Sequence, residues 1–288
     1  ESSKELLNDD GMDYKTAFIP EMDLKKTIVP ISTILDDLNS WYATESKYED
    51  KYFNKTKEEL EKTKNDSKKT VNYMVKEFEM KKSADAYARA TTSKTGMLDM
   101  GQLHTYKFND DIFAKVTTLP GAKNHGLVMF LDWSGSMAGN LKGTLNQLYN
   151  LIWFCKKVSI PFDVYAFTDL YRRYRDKETQ IQKFRSGELD VNDLRLLHLF
   201  SDKMKNTQEL NMMHNLYMIA CKWSYRDWRT EGYPYKCPTH YNLGGTPLNS
   251  AIISAMQIVP EFKNSRGIQK VHTVFLTDGS SNDVRKFV

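Results

Sequence analysis

The chain has 288 residues, 40% apolar and 27% charged, which suffices for one large core or two modest ones. Lys and Arg exceed Asp and Glu by only 41 − 37 = 4, far from the basic stripe of a dedicated nucleic-acid binder. The three cysteines, Cys155, Cys221 and Cys237, are too scattered for a disulfide framework, no run approaches roughly eighteen apolar residues, and the start "ESSKELLNDD" has no signal-peptide core. These observations exclude a membrane span and point to a reducing, cytoplasmic setting. A chain that starts without Met and stops soon after an internal-looking strand reads as a piece of something longer.

Residues 1–46 form a first, helical segment, in which "ISTILDDLNSWY" places Ile31, Ile34, Leu35, Leu38, Trp41 and Tyr42 at helical spacing. Residues 47–96 follow as a charged linker and an amphipathic helix. The stretch 47–69 is dense in mixed charge, a solvated helix or a linker. From Val71 the stripe of Val71, Met74, Val75 and Phe78 predicts a helix of about twenty residues, with Gly96 as a stop. Residues 97–125 read as short connecting elements with a Pro120-Gly121 turn.

From 126 the pattern changes. "GLVMFLD" is continuously apolar, as a parallel strand covered on both faces must be. "NLKGTLNQLYNLIWFCKKV" is an amphipathic helix, "FDVYAFTD" a second strand, "PLNSAIISAMQIV" another helix and "VHTVFLTD" a further strand. Strands alternating with helices predict an α/β fold, a doubly wound, mostly parallel sheet whose ligand crevice lies at the carboxyl ends of its strands.

Three segments reach that edge. "LDWSGSM" ends a strand on Asp132, and Ser134 and Ser136 follow at alternate positions in a Gly-containing turn. "LGGTPL" sets Thr246 before Pro247, a favoured first helical residue, and "FLTDGSS" ends a strand on Asp278. Hard oxygens, few of them carboxylates, with room for water, suit Mg²⁺, with Mn²⁺ or Ca²⁺ as substitutes. Two aspartates leave the ion an exchangeable position that an Asp or Glu of a partner protein would fill. Trp133, Met137 and Gly245 flank these ligands as candidate partner contacts.

"DWSGSM", "GGTPL" and "TDG" together resemble the metal-ion-dependent adhesion site of von Willebrand factor A domains. By that resemblance Asp132, Ser134, Ser136, Thr246 and Asp278 are the ligand set, and the ion, usually Mg²⁺, recruits an acid of a partner. "ADAYARATTSKTGMLDMGQLHTYKF", with the long spacer before the threonine loop, is similar to CobT-type cobaltochelatase subunits and CobT-like proteins of tailed phages. Those work beside a ring-forming AAA+ ATPase of the MoxR or CobS kind. The resemblance covers roughly 84–288. It implies a von Willebrand A, Rossmann-like domain over 126–288 behind an N-terminal helical extension. Thr246 lies 246 − 132 = 114 residues after Asp132, which implies an insertion over about 169–241, and the few residues after Asp278 imply that the C-terminal end of the domain is missing.

Other patterns have blander readings. "AGNLKGT" lacks the order of a phosphate-binding Walker loop, and serine at 134 stands where a haloacid-dehalogenase phosphotransferase needs a second Asp. Cys221, Cys237 and His240 supply only three candidates for zinc. In "KWSYRDWRTEGYPYKCPTHY" the rings of Trp223, Tyr225, Trp228, Tyr233 and Tyr235 suit packing within the insertion first, then a partner surface, with Trp228 and Tyr233 the candidate contacts, and last stacking on nucleic-acid bases. "YRRYRDKETQIQKFR" is a basic surface segment. The expectation is a non-catalytic, Mg²⁺-dependent docking adaptor of a MoxR/CobS-type ATPase machine, chelatase-like, encoded by a cell or by a phage. Its rivals are a phage virion or assembly protein and a metal-dependent hydrolase or peptidase, which would need a general base near the ion.

Overall fold

The computed structural model describes residues 17–45, 50–88, 91–98, 100–101, 107–108, 113–118, 124–175, 185–224, 237–279 and 281–282. A short helix α1 (Leu24–Thr27), capped by the Asp23 carboxylate, leads into strand β1 (Ile28–Val29) and helix α2 (Ile31–Glu45). Helix α3 (Asp50–Ala88) is followed by a ribbon of β2 (Thr91–Leu98) antiparallel to β3 (Phe113–Thr118). Then come β4 (His125–Asp132), α4 (Leu141–Lys157), β5 (Phe162–Thr168) and α5 (Leu170–Tyr174). The chain continues through β6 (Arg195–Ser201), α6 (Asn206–Ser224), α7 (Leu248–Ser265) and β7 (Lys270–Leu276).

Five strands form one sheet in the order β1-β6-β5-β4-β7, and β2 and β3 form a separate two-stranded ribbon. β4 runs parallel to β5 and β7, and β1 parallel to β6, while β6 is antiparallel to β5. The fold is therefore α/β with a mostly parallel sheet and helices on both sides, as the alternating pattern predicts. Successive side chains of a strand point to opposite faces. Met129, Leu131 and Trp133 accordingly join Leu38 of α2, Leu145 of α4 and Leu216 of α6 in the larger core. Val128 and Phe130 face the smaller core, with Ala251, Ile258 and Phe262 of α7.

Three expectations are revised. The stretch 169–241, expected as an insertion, supplies β6 and α6, whose Leu197, Leu199, Met212 and Met213 are part of the larger core. Residues 28–45, expected as an extension, likewise belong to the sheet's own layers through β1 and the buried Ile34 and Leu38 of α2. Residues 50–69 of the charged stretch are the first half of α3, one continuous helix, and Gly96 lies in β2 rather than ending a helix. α3 stays mostly solvated and is pinned at a few points. Leu60 and Val71 are buried, Glu59 meets Lys142 at 3.0 Å, and the Phe78 ring stands edge-on to Phe154. The Thr56 hydroxyl bonds His214 Nε2 at 3.0 Å.

All three cysteines are free and buried. Burial pushes the Cys155 thiol up to about 12 and the Cys221 thiol up to about 11, and raises that of Cys237. Among the described residues no helix is long and apolar enough to cross a membrane.

Candidate metal centre

β4 carries its extended course past its last residue. The Trp133 N–H donates to the Phe167 carbonyl at 3.2 Å, and Ser134 forms a parallel bridge with Gly244. Two more bonds close that bridge, Gly135 N–H to the Gly244 carbonyl at 2.8 Å and Gly244 N–H to the Trp133 carbonyl at 3.2 Å. Strand alternation then keeps Asp132 and Ser134 on one face and sends Trp133 into the core. The glycine loop is tied in turn to the end of β7, because the Asn282 N–H donates to the Thr246 carbonyl at 2.8 Å. Backbone bonds alone thus stitch the three segments to one edge.

The side chains meet there. The Ser134 and Ser136 hydroxyls are 2.9 Å apart, and Ser136 donates to Asp278 Oδ1 at 2.9 Å. Thr277 donates to Asp132 Oδ2 at 2.7 Å. Four of the five expected ligands, Asp132, Ser134, Ser136 and Asp278, are therefore gathered at the strand ends. Thr246, 8% exposed, is brought there by its backbone and makes no side-chain hydrogen bond to the other four among the described residues.

Asp132 is 0% exposed, and its Oδ1 has no hydrogen-bond partner among the described residues. Burial raises its pKa above the ordinary 3.8, and the charge of Asp278 adds to the rise. The hydroxyls of Thr277 and Ser134 and the Ser134 N–H pull the other way, without closing a bond to Oδ1. No Lys or Arg forms an ion pair with Asp132 or Asp278 among the described residues. A buried carboxylate oxygen with no donor, beside a second carboxylate and two hydroxyls, is an uncompensated negative site. A small hard cation would compensate it, and the donor set, all oxygen with only two formal charges, fits Mg²⁺.

The sequence reading missed Asp169, the residue after β5. Its Oδ1 accepts from the Gly245 N–H at 2.8 Å and its Oδ2 from Arg173 at 2.8 Å. This carboxylate lies so close beneath the glycine loop that a Cβ on Gly244 would collide with Asp169 and Leu170, and one on Gly245 would come within 2.6 Å of Asn282 Nδ2. The double glycine is thus a consequence of close approach. A signal was present in "FTDL", which ends its strand on Thr-Asp just as "FLTDG" does.

The expected partner contacts are corrected. Trp133 is 1% exposed and donates its indole N–H to the Tyr241 carbonyl at 2.9 Å, and Met137 is 3% exposed, so neither is available to a partner. Gly245 is half-buried with its N–H committed to Asp169. Trp228 and Tyr233 lie outside the described residues. The zinc candidates are otherwise engaged: the Cys237 thiol donates to Asn242 at 3.0 Å, and His240 lies 3.8 Å from Asp37. No group of three or more His, Cys, Asp or Glu suited to a metal exists among the described residues. His198 stacks on Tyr165 and approaches Asp163 at 3.3 Å, a packed histidine.

No family model, no curated protein and no solved structure matches the chain.

Proposed function

We propose that this chain is a von Willebrand A-like docking adaptor that holds Mg²⁺ at the carboxyl edge of its sheet and uses it to capture an acidic side chain of a partner protein. The observation that carries this reading is the buried, donor-less Oδ1 of Asp132 beside Ser134, Ser136 and Asp278. Asp132 and Asp278 supply the charge, Ser134, Ser136 and Thr246 the neutral oxygens, and the ion when bound supplies a Lewis-acidic position for one further carboxylate. Asp169 and the double glycine set the threonine loop at its height above the edge. A docking role is favoured over hydrolysis because the side-chain bonds of the gathered ligands run to one another and to Thr277. No His or Glu able to take a proton from water touches them among the described residues.

By the resemblance of its motifs, the partner is an AAA+ ATPase of the MoxR or CobS kind, in a chelatase-like assembly in the cytoplasm, of a host cell if a phage encodes it. Titration calorimetry with MgCl₂ and MnCl₂, followed by capture of a co-encoded ATPase with and without EDTA, tests both halves. One ion per chain, with capture lost in EDTA and in Asp132→Ala, is expected. Capture that survives EDTA overturns the docking role, and absence of ion binding overturns the site.

A further inference from the structure

The face of the sheet covered by α3, α4 and α6 carries a second feature, independent of the metal reading. A cleft of about 470 Å³ runs between the three helices, floored by Val71, Trp153 and Leu210. It shares Lys64, Trp153 and Leu210 with a neighbouring cleft of about 320 Å³, floored by Phe53, Leu60 and Met213. Together they make one groove along α3 from Phe53 to Val71, 71 − 53 = 18 helical steps, or roughly 27 Å at the helical rise. Leu210 is 43% exposed in it.

The rim is basic. Lys57, Lys64 and Lys68 of α3 are exposed and make no ion pair among the described residues, and Lys157 of α4 meets only the neutral Asn72 there. Lys156 is already neutralised by Glu209 at 2.6 Å, and Glu61 is the other acid in the lining. Four uncompensated ammonium groups against one carboxylate, over an apolar floor, define the ligand by complementarity: apolar side chains on one stripe, flanked by acids.

We infer that this groove binds an acidic amphipathic helix of a partner protein. The walls are helices whose backbone groups are satisfied internally, so no strand can be added and recognition must come from side chains, as in helix-in-groove complexes. A wall of roughly 27 Å matches about five turns of a bound helix. Nucleic acid fits less well, since the floor is aliphatic apart from Phe53 and Trp153 and the groove has no Arg, whereas single strands need successive stacking rings.

The test uses an 18-residue fluorescent peptide with Leu on one helical stripe and Glu on its flanks. Its controls are an isomer of the same composition with the stripe scrambled, and a single-stranded DNA oligonucleotide. Anisotropy on the full chain should show binding of the first peptide at low salt, weakened at least tenfold by the double change Lys64→Glu, Lys68→Glu and by Leu210→Ser. EDTA should leave it unchanged. Hydrogen exchange should slow along 53–71 and 206–214 on binding. All three substituted positions are exposed, so melting temperatures within a few degrees of the parent establish that the variants are folded. Equal binding of the scrambled isomer, undiminished binding by both variants, preference for the oligonucleotide, or no binding at all would each overturn the assignment.

Discussion

Two strands of the sheet end on the same dipeptide. Thr168-Asp169 closes β5, and Thr277-Asp278 closes β7. At the first, the aspartate is buried, receives the Gly245 N–H and Arg173, and has both oxygens occupied by donors of its own chain. At the second, Asp278 is exposed and, among the described residues, accepts a side-chain hydrogen bond only from Ser136, while Thr277 turns back to Asp132. Identical residues at equivalent ends of parallel strands thus hold a loop in one place and present oxygen to the edge in the other. What separates them is the number of internal donors: a carboxylate saturated by its own fold has nothing left for a ligand, and one that is not saturated has.

That contrast can be broken by mutation. The largest effect is expected at Asp132, the oxygen with no donor. In the parent, Mg²⁺ at about a hundred times its dissociation constant should add about 2.7 kcal/mol to unfolding in urea, and Asp132→Ala should show no gain. Next comes the loop-holding aspartate. Asp169→Ala strands the Gly245 N–H and should cost about 1–3 kcal/mol in metal-free denaturation. Loss of that support should also weaken Mg²⁺ roughly 10–100-fold by calorimetry. Gly244→Ala should destabilise by a similar ~1–3 kcal/mol, because its methyl group has no space beside Asp169 and Leu170. Asp278→Asn is the counterpart: Mg²⁺ affinity should fall while metal-free stability stays within about 0.5 kcal/mol of the parent. If Asp169→Ala spares the ion and Asp278→Asn costs the fold, the two roles have been assigned the wrong way round.

The smallest effect concerns pH. The folded pKa of Asp132 is raised, chiefly by burial, so its contribution to stability is fully present below the unfolded value of 3.8 and is lost as pH rises through the folded value. The metal-free parent should therefore lose stability relative to Asp132→Asn across that window, and saturating Mg²⁺ should abolish the difference. Urea titrations of the two proteins at several pH values measure it.

Much of this was legible beforehand. β4 announces itself as an unbroken apolar run and β5 and β7 as short, largely apolar segments, and α4 buries five residues of its apolar stripe, Leu141, Leu145, Leu148, Tyr149 and Ile152, with the sixth, Trp153, half-buried. The oxygen donors are readable because they sit at strand ends in fixed order. β6 was hidden because "RLLHLFS" is a short apolar run, which periodicity cannot tell from a piece of buried helix. Its antiparallel course was hidden too, since direction depends on where the following helix packs. Trp133 was misjudged for want of one step: an extended chain that shows Asp132 and Ser134 to the edge must turn the residue between them inward. The strand-ending Thr-Asp of "FTDL" marks Asp169 as a candidate, but its role lies in a contact with the distant glycine loop that no local pattern encodes.

The three buried thiols have a practical corollary. Burial keeps them protonated, so an alkylating reagent reaches them only when the surrounding structure opens. Cys155 on α4, Cys221 on α6 and Cys237 ahead of the threonine loop therefore act as three clocks built into one polypeptide. Their modification rates, followed by mass spectrometry, time the breathing of each neighbourhood separately, and a ligand that clamps the sheet edge should slow the Cys237 clock most.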